Sequence, residues 1–204
     1  AIHLPQETSG MTSPSTSSSG FTFPDWTGKD LGEFIVEKLI SKGGMAVVYE
    51  GIQKNLQRKV AIKVLPPAMS QHEEFQKLFK QEAVVLANLS HPNIVPIYSF
   101  GNLENCPYFV MKRIEGETLG EKIVSQRRSF FKVKTLFPVQ DILLWVKQIA
   151  SALDYAHSKG VFHCDIKPSN ILVDHHERLY VADFGLTKIF QSAIDAIFLA
   201  CNLF

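Results

Sequence analysis

Two short polar motifs constrain what this chain can fold into more than any other feature of its sequence. The first is His163-Cys164-Asp165-Ile166-Lys167-Pro168-Ser169-Asn170, and it precedes the apolar run Ile171-Leu172-Val173. The second is Asp183-Phe184-Gly185, which begins eighteen residues after Asp165. Amide and carboxylate oxygens are the ligands that Mg²⁺ prefers, and a positioned carboxylate can accept a hydroxyl proton. By residue type, Asp165 can therefore take a proton, and Asn170 and Asp183 can offer oxygens to a hard cation. Lys167 is expected beside an anionic group.

A lysine and a glutamate farther upstream lie in segments that are otherwise apolar. Lys63 interrupts the strand-like run 60–65. Glu82 lies on the apolar stripe of a helix predicted for residues 73–89, whose other members are Phe75, Leu78, Phe79, Val85, Leu86 and Leu89. A carboxylate on such a face is costly unless it is paired, so we expect a Lys63–Glu82 ion pair. A glutamate at the edge of the stripe fits the same spacing.

The residues before Lys63 predict a hairpin with a glycine-containing loop. A β-rich run at 33–40 leads into Ser41-Lys42-Gly43-Gly44-Met45-Ala46-Val47-Val48. Gly43 and Gly44 allow the backbone to approach a phosphate closely. An ordinary glycine hairpin would have the same local sequence, so this loop alone does not decide between the two.

The remaining periodic segments predict an alternation of strands and helices. Strands are expected at 97–100 and 108–112 with a turn at 101–107, and a second hairpin at 172–173 and 179–182. Helices are expected at 119–128 and 139–159, the second with Gly160 as its C-terminal cap. The predicted buried face of that second helix consists of Ile142, Val146, Ile149, Leu153 and Ala156.

Composition narrows the cellular setting. The net charge of +1 predicts no nucleic-acid partner, so the basic and aromatic segment 127–137 is interpreted as a surface insertion. Three widely spaced cysteines favour a reducing compartment, and a cytoplasmic location is expected. No apolar run reaches the roughly 20 residues of a membrane span. Residues 1–30 are predicted to be a disordered tail, because nine of the twelve residues from 8 to 19 are Ser or Thr.

Together, these motifs resemble the signature set of the serine/threonine protein kinases over about residues 32–188. The resemblance implies an α+β, two-lobed fold: an antiparallel sheet with one helix in residues 31–113, and a mainly helical lobe of which 114–188 form part. It implies that ATP and Mg²⁺ bind between the lobes and that the γ-phosphoryl group passes to Ser or Thr hydroxyls of a protein substrate. Asp165, Lys167, Lys63 and Glu82 would be catalytic, and Asn170 and Asp183 would bind the metal. The expected nucleotide contacts are Ile40, Ser41, Lys42, Gly43, Gly44, Met45, Ala46, Val47, Val48, Lys63 and the backbone of Lys112 and Ile114, with Met111 behind the pocket.

The chain also departs from the kinase pattern. Ser41 and Ala46 replace two glycines of the phosphate loop, and Cys164 stands where many kinases have Arg, which predicts that a phosphorylated activation loop does not gate activity. The chain ends nineteen residues after Gly185, and residues 189–204 form an apolar stretch unlike the family. We therefore expect a truncated kinase domain that self-associates through this stretch. The alternative is a catalytically weak, pseudokinase-like module that binds nucleotide or a partner.

Overall fold

The structure is a computed structural model that describes residues 23–43, 46–67, 73–129 and 137–184. Several predictions concern residues outside these ranges. They include the Ser/Thr-rich segment 8–19, Gly44 and Met45 of the glycine loop, Gly185, and the apolar stretch 189–204.

A five-stranded antiparallel sheet forms the first half of the described chain. Its strands, in the spatial order β1-β2-β3-β5-β4, are β1 (Phe34–Lys42), β2 (Val47–Gln53), β3 (Arg58–Val64), β4 (Ile97–Leu103) and β5 (Cys106–Lys112). The predicted turn at 101–107 is shorter than expected. The turn consists of Glu104 and Asn105, which both have positive φ. A two-residue turn with this backbone conformation is favoured because it matches the twist of the strands that it joins.

The alternation of side chains along β3 separates the core from the site. Val60, Ile62 and Val64 are buried on one face of the sheet, in a cluster that includes Trp26 and Tyr49. Lys63 therefore projects from the opposite face. There, α1 (Glu73–Ala87) packs Phe79 and Ala83 against Leu65 and Phe109.

Residues 23–30 belong to the folded sheet region, so the predicted tail boundary at residue 30 is wrong for these residues. The side chain of Trp26 is fully buried, and its ring meets that of Tyr108 edge-on with centroids 5.6 Å apart. The backbone N–H of Gly28 donates to the Val36 carbonyl at 2.9 Å. An indole buries enough apolar surface to offset the ordering of its neighbours, and the Ser/Thr-rich composition upstream concealed this.

The helix α1 confirms the predicted helix but narrows its buried stripe. Phe79 and Leu86 are buried as expected, and so is Leu89 just beyond the helix end, whereas Val85 is exposed. Ala83 takes the place of Val85 on the buried face, because 79, 83 and 86 follow the helical repeat more closely.

The second half of the described chain contains two longer helices and a small sheet. Its elements are β6 (Gly116–Thr118), α2 (Leu119–Ser129), α3 (Val139–Ser158), a 3₁₀ turn (Pro168–Asn170), β7 (Ile171–Asp174) and β8 (Leu179–Val181). The three strands form an antiparallel sheet in the order β6-β7-β8, which confirms the second predicted hairpin. Within the described ranges, none of the helices combines the length and hydropathy needed to cross a bilayer.

The helix α3 has the predicted length and cap, and its predicted buried face is confirmed in part: Ala156 is buried, and Ile149 and Leu153 are partly buried against the core. Gly160 has φ of 73° and donates to the His157 carbonyl, while the Val161 N–H donates to the Ala156 carbonyl, which is the Schellman arrangement. The buried residues of α3 are Trp145, Ala152 and Ala156. Ile142 and Val146, which were predicted to be buried, are exposed. The reason is that Trp145 and the two small alanines pack against β8, and this turns Ile142 and Val146 outward while Ile149 and Leu153 stay partly buried.

A backbone crossing joins the two halves. The N–H of Val95 donates to the Val181 carbonyl at 3.0 Å, and the N–H of Val181 donates to the Asn93 carbonyl at 2.8 Å. One apolar cluster then runs from the end of α1 through Val181 to Phe184 and α3. Asp183 consequently lies where the two halves meet.

Candidate active site

The buried imidazole of His163 organises the loop that follows α3. Its Nδ1 accepts a hydrogen bond from the backbone N–H of Asp165 at 3.2 Å, so its Nε2 carries the proton and donates to the Ala182 carbonyl at 2.7 Å. Burial lowers the pKa of His163, in agreement with this neutral tautomer. One side chain thus ties the 163–170 loop to the residues just before Asp183.

Asp165 has its carboxylate fixed from two sides. Its Oδ2 lies 2.7 Å from the Nζ of Lys167 and accepts a hydrogen bond from the Nδ2 of Asn170 at 3.0 Å. The Lys167 interaction is the main reason that the pKa of Asp165 is lowered, and Asn170 contributes to the shift. Asp165 therefore stays ionised at neutral pH, and its side chain remains accessible enough to accept a hydrogen bond from a substrate hydroxyl.

Two residues of the site adopt the left-handed backbone conformation, which non-glycine residues seldom occupy. Cys164 has φ of 62° and Asp183 has φ of 64°. The residues next to them are held by hydrogen bonds. Asp165, which follows Cys164, is hydrogen-bonded to His163, and Ala182, which precedes Asp183, is hydrogen-bonded to His163 and Asn170. Strain of this kind persists where the surroundings over-determine it, which is common at functional sites.

Asn170 and Asp183, the predicted metal ligands, are brought together by the backbone. The N–H of Ala182 donates to the Asn170 carbonyl at 2.9 Å, and the next residue is Asp183. The amide nitrogen of Asn170 is engaged by Asp165, both at its carboxylate and at its carbonyl, so the amide oxygen is oriented away from Asp165. Phe184 is buried with its ring centroid 4.7 Å from that of His163. A carboxylate and an amide oxygen on adjacent segments fit Mg²⁺, which takes few protein ligands and keeps phosphate and water oxygens.

Lys63 reaches this pair from the five-stranded sheet. Its Nζ lies 2.6 Å from the Oδ2 of Asp183, and neither side chain is widely exposed. The ion pair that the structure shows for Lys63 is thus with Asp183. Glu82 is half-buried on α1, and its pairing with Lys63 stays a prediction.

Strand pairing brings the hairpin that carries the glycine loop next to Lys63. Val48 lies directly opposite Lys63 on β3 and opposite Ser41 on β1, while Lys42 is opposite Val47. The N–H of Gly43 donates to the Ala46 carbonyl at 2.9 Å, which closes the described ends of the loop. Ile40 and Ser41 are exposed on the same hairpin.

In the linker after β5, some of the backbone groups already have hydrogen-bond partners within the chain. The N–H of Lys112 donates to the Pro96 carbonyl at 2.9 Å, and the carbonyl of Ile114 accepts a hydrogen bond from the guanidinium of Arg113. The Ile114 side chain is buried with Val95 and Tyr180. Arg113 and its partner Glu50 were not predicted as site residues, although Glu50 within the apolar run 47–52 shows the same signal that singled out Glu82.

Comparison with known proteins identifies the family. The protein kinase domain family matches residues 34–200 of this chain. The chain belongs to the protein kinase family. The match extends past residue 188, where the motif resemblance stopped, so the prediction that the last segment is unlike the family is wrong for residues 189–200.

The similar proteins are serine/threonine kinases. This kinase chain is 38% identical over 161 residues to the serine/threonine-protein kinase PrkC of Bacillus subtilis, covering 79% of this chain and 24% of that protein. It is 34% identical over 161 residues to PknD of Mycobacterium tuberculosis, covering 79% and 23%. The crystal structure of the Mycobacterium tuberculosis PknI kinase domain superposes with a TM-score of 0.66 at 30% identity, covering 78% of this chain and 62% of that one. The chain thus spans about a quarter of the length of these curated relatives.

Proposed function

We propose that this chain acts as an ATP-dependent serine/threonine protein kinase, transferring the γ-phosphoryl group of ATP to protein hydroxyls. The observation that carries the proposal is the 2.6 Å contact between Lys63 and Asp183, next to the Asp165–Asn170 hydrogen bonds. These groups come from the sheet, the 163–170 loop and the segment after β8. Contacts between these segments therefore connect a cation, an oriented carboxylate and the two candidate metal ligands.

Each side chain has a separate part in the proposed reaction. Asp165 would accept a hydrogen bond from the substrate hydroxyl and orient it, since its lowered pKa keeps it ionised. Lys167, at 2.7 Å from Asp165, would lie beside the transferring group. Lys63 would exchange Asp183 for the phosphates, and Asn170 and Asp183 would hold Mg²⁺. Bound Mg²⁺ supplies charge neutralisation at the β- and γ-phosphates.

The nucleotide base is proposed to bind the linker. The N–H of Lys112 and the carbonyl of Ile114 already have intramolecular partners. The groups proposed for adenine are therefore the carbonyl of Lys112 and the N–H of Ile114, which match the donor and acceptor on its edge. The hairpin from Ile40 to Val48 would cover the phosphates.

A catalytically weak module that binds nucleotide or a partner is the second candidate. It is favoured by the phosphate loop, in which Ser41 and Ala46 replace two glycines of the kinase pattern. A cytoplasmic location and self-association through residues 189–204 stay predictions. That the substrate is a protein with Ser or Thr hydroxyls is part of the same proposal.

Binding of a fluorescent ATP analogue, titrated with and without Mg²⁺, tests the proposal together with a phosphorylation assay. We expect Asp183→Asn to lose the Mg²⁺-dependent gain in affinity. Asp165→Asn should retain nucleotide affinity within about threefold but lower phosphoryl transfer at least a hundredfold, in the range of general-base contributions.

Equal Mg²⁺-dependent binding by the wild type and Asp183→Asn would refute the metal assignment. Nucleotide binding by a wild-type chain that transfers no phosphate to a broad protein mixture would favour the binding module.

A further inference from the structure

A group of charged residues outside the catalytic constellation connects the sheet to the linker. Glu50 on β2 is buried, and its carboxylate contacts Lys38 of β1 at 3.3 Å, Lys59 of β3 at 3.8 Å and Arg113 of the linker at 3.2 Å. Lys59 also lies 3.9 Å from Glu115. We call these five residues the linker charge cluster. Its contacts connect strands β1, β2 and β3 to Arg113 and Glu115, which follow β5.

Glu50 lies on the same face of the sheet as Lys63. Glu50 comes two residues after Val48 on β2, so both side chains project from the face of the sheet that carries Lys63. Burial alone would raise the pKa of the Glu50 carboxyl, but hydrogen bonds from Arg113 and Lys38 outweigh it and lower the pKa. A buried carboxylate in this setting is a fixed negative charge, and the cations around it are held accordingly.

Arg113 uses two parts of its guanidinium at once. Its Nε donates to the Oε2 of Glu50, while its Nη1 donates to the backbone carbonyl of Ile114. A planar guanidinium can make both contacts because its donors diverge in a rigid fork, which a lysine ammonium does not reproduce. Glu50 thus restrains, through Arg113, the peptide groups around Ile114.

We propose that Glu50 and Arg113 are positioning residues that orient the linker backbone for the nucleotide base, while leaving the phosphate end of the site unaffected. This inference rests on the proposed nucleotide-binding function, because adenine is assigned there to Lys112 and Ile114. Strand pairing places Glu50 level with Ala61 of β3 and, across β3, with Met111, the residue before the end of β5. Lys63, to which the phosphates are assigned, lies two residues farther along β3 from the linker.

Two variants of the full chain test the proposal. Glu50→Gln keeps the size of the side chain but removes its charge, and Arg113→Lys keeps the charge but removes the fork. Lys54→Gln is the matched control, since it breaks an exposed ion pair with Asp30 in the same region without touching the linker. Isothermal titration would measure the binding of adenosine and, separately, of inorganic tripolyphosphate.

Both variants should bind adenosine about tenfold more weakly, the effect of one charge-assisted hydrogen bond, with tripolyphosphate affinity within about twofold of the wild type. The double variant should be no weaker than the more affected single variant, because the two residues act as a unit. Unchanged adenosine affinity in either folded variant, or an equal loss of both ligands, would overturn the proposal.

Hydrogen exchange separates this inference from the proposed function. If the wild type bound neither ligand, the proposed function would fail, and amide exchange at residues 112–116 would still test the positioning. Faster exchange there in Glu50→Gln than in Lys54→Gln supports the restraint on the linker. Equal exchange rates refute it.

Discussion

The ion pair between Lys63 and Asp183 allows a quantitative test of the site in the absence of nucleotide. The two side chains are 12% and 27% exposed and their charged atoms are 2.6 Å apart. Replacing Lys63 by Met keeps most of the aliphatic chain and removes the charge. The carboxylate of Asp183 would then be left partly buried in a left-handed backbone position, with its strongest partner gone.

The expected magnitude lies between two limits. Exposed ion pairs contribute about 0.2–1 kcal/mol, whereas removing one partner of a fully buried pair costs about 3–5 kcal/mol. Because both groups are mostly but incompletely buried, we expect Lys63→Met to lower the free energy of unfolding by about 2 kcal/mol, in the range for hydrogen bonds to charged groups. The coupling energy with Asp183→Asn should be about 1.5 kcal/mol.

Urea unfolding of the wild type, the two single variants and the double variant measures this coupling directly. The same cycle on Lys54 and Asp30, which are 37% and 62% exposed, is the matched control and should give less than about 1 kcal/mol. A Lys63–Asp183 coupling no larger than that of the control pair would refute the reasoning. A parallel cycle with Glu82→Gln measures the pair that the sequence predicts.

Three further predictions follow from burial and charge. Trp26→Ala should lower the free energy of unfolding by about 3–5 kcal/mol in urea, whereas deletion of residues 1–22 should change it by less than about 0.5 kcal/mol; a small effect of Trp26→Ala would contradict the burial of the indole. The lowered pKa of His163 means that the unfolded chain binds its proton first, so stability should fall as pH drops below about 6.5. His163→Gln should therefore show a shallower loss between pH 7 and 5 than the wild type, with the exposed His175→Gln as the control, and equal slopes would count against a neutral His163. Finally, a charge in the apolar stretch 189–204 that is predicted to self-associate, as in Leu199→Glu, should reduce self-association in light scattering, and a wild-type chain that is already a monodisperse monomer would disprove this.

Local pattern was sufficient to predict most elements of the fold. Strand-like and β-rich runs marked the strands around Lys63, and the glycine after α3 marked its end, because these signals depend on backbone geometry that the local sequence controls. The 163–170 loop and Asp183 were predicted as site residues from residue type and spacing. The family that matches residues 34–200 confirms that this identification named the right fold.

The buried face of α3 and the start of the folded region depend on contacts with residues that are distant in the sequence. Ile142 and Val146 have the spacing of a buried stripe, yet Trp145 and the small alanines face β8, since the closest approach to the sheet selects the face. Trp26 is buried because Tyr49 and Tyr108, from strands far along the chain, form its pocket.

The partners of charged side chains were likewise decided by tertiary structure. Local sequence was enough to predict that Lys63, Asp165, Asn170 and Asp183 would be polar groups next to apolar strands. Only the folded chain determined that Lys63 contacts Asp183 and that Arg113 connects Glu50 to the linker. Ion pairs form between groups that the backbone brings within a few ångströms, and those distances are set by the packing of whole elements rather than by the residues nearby in the chain.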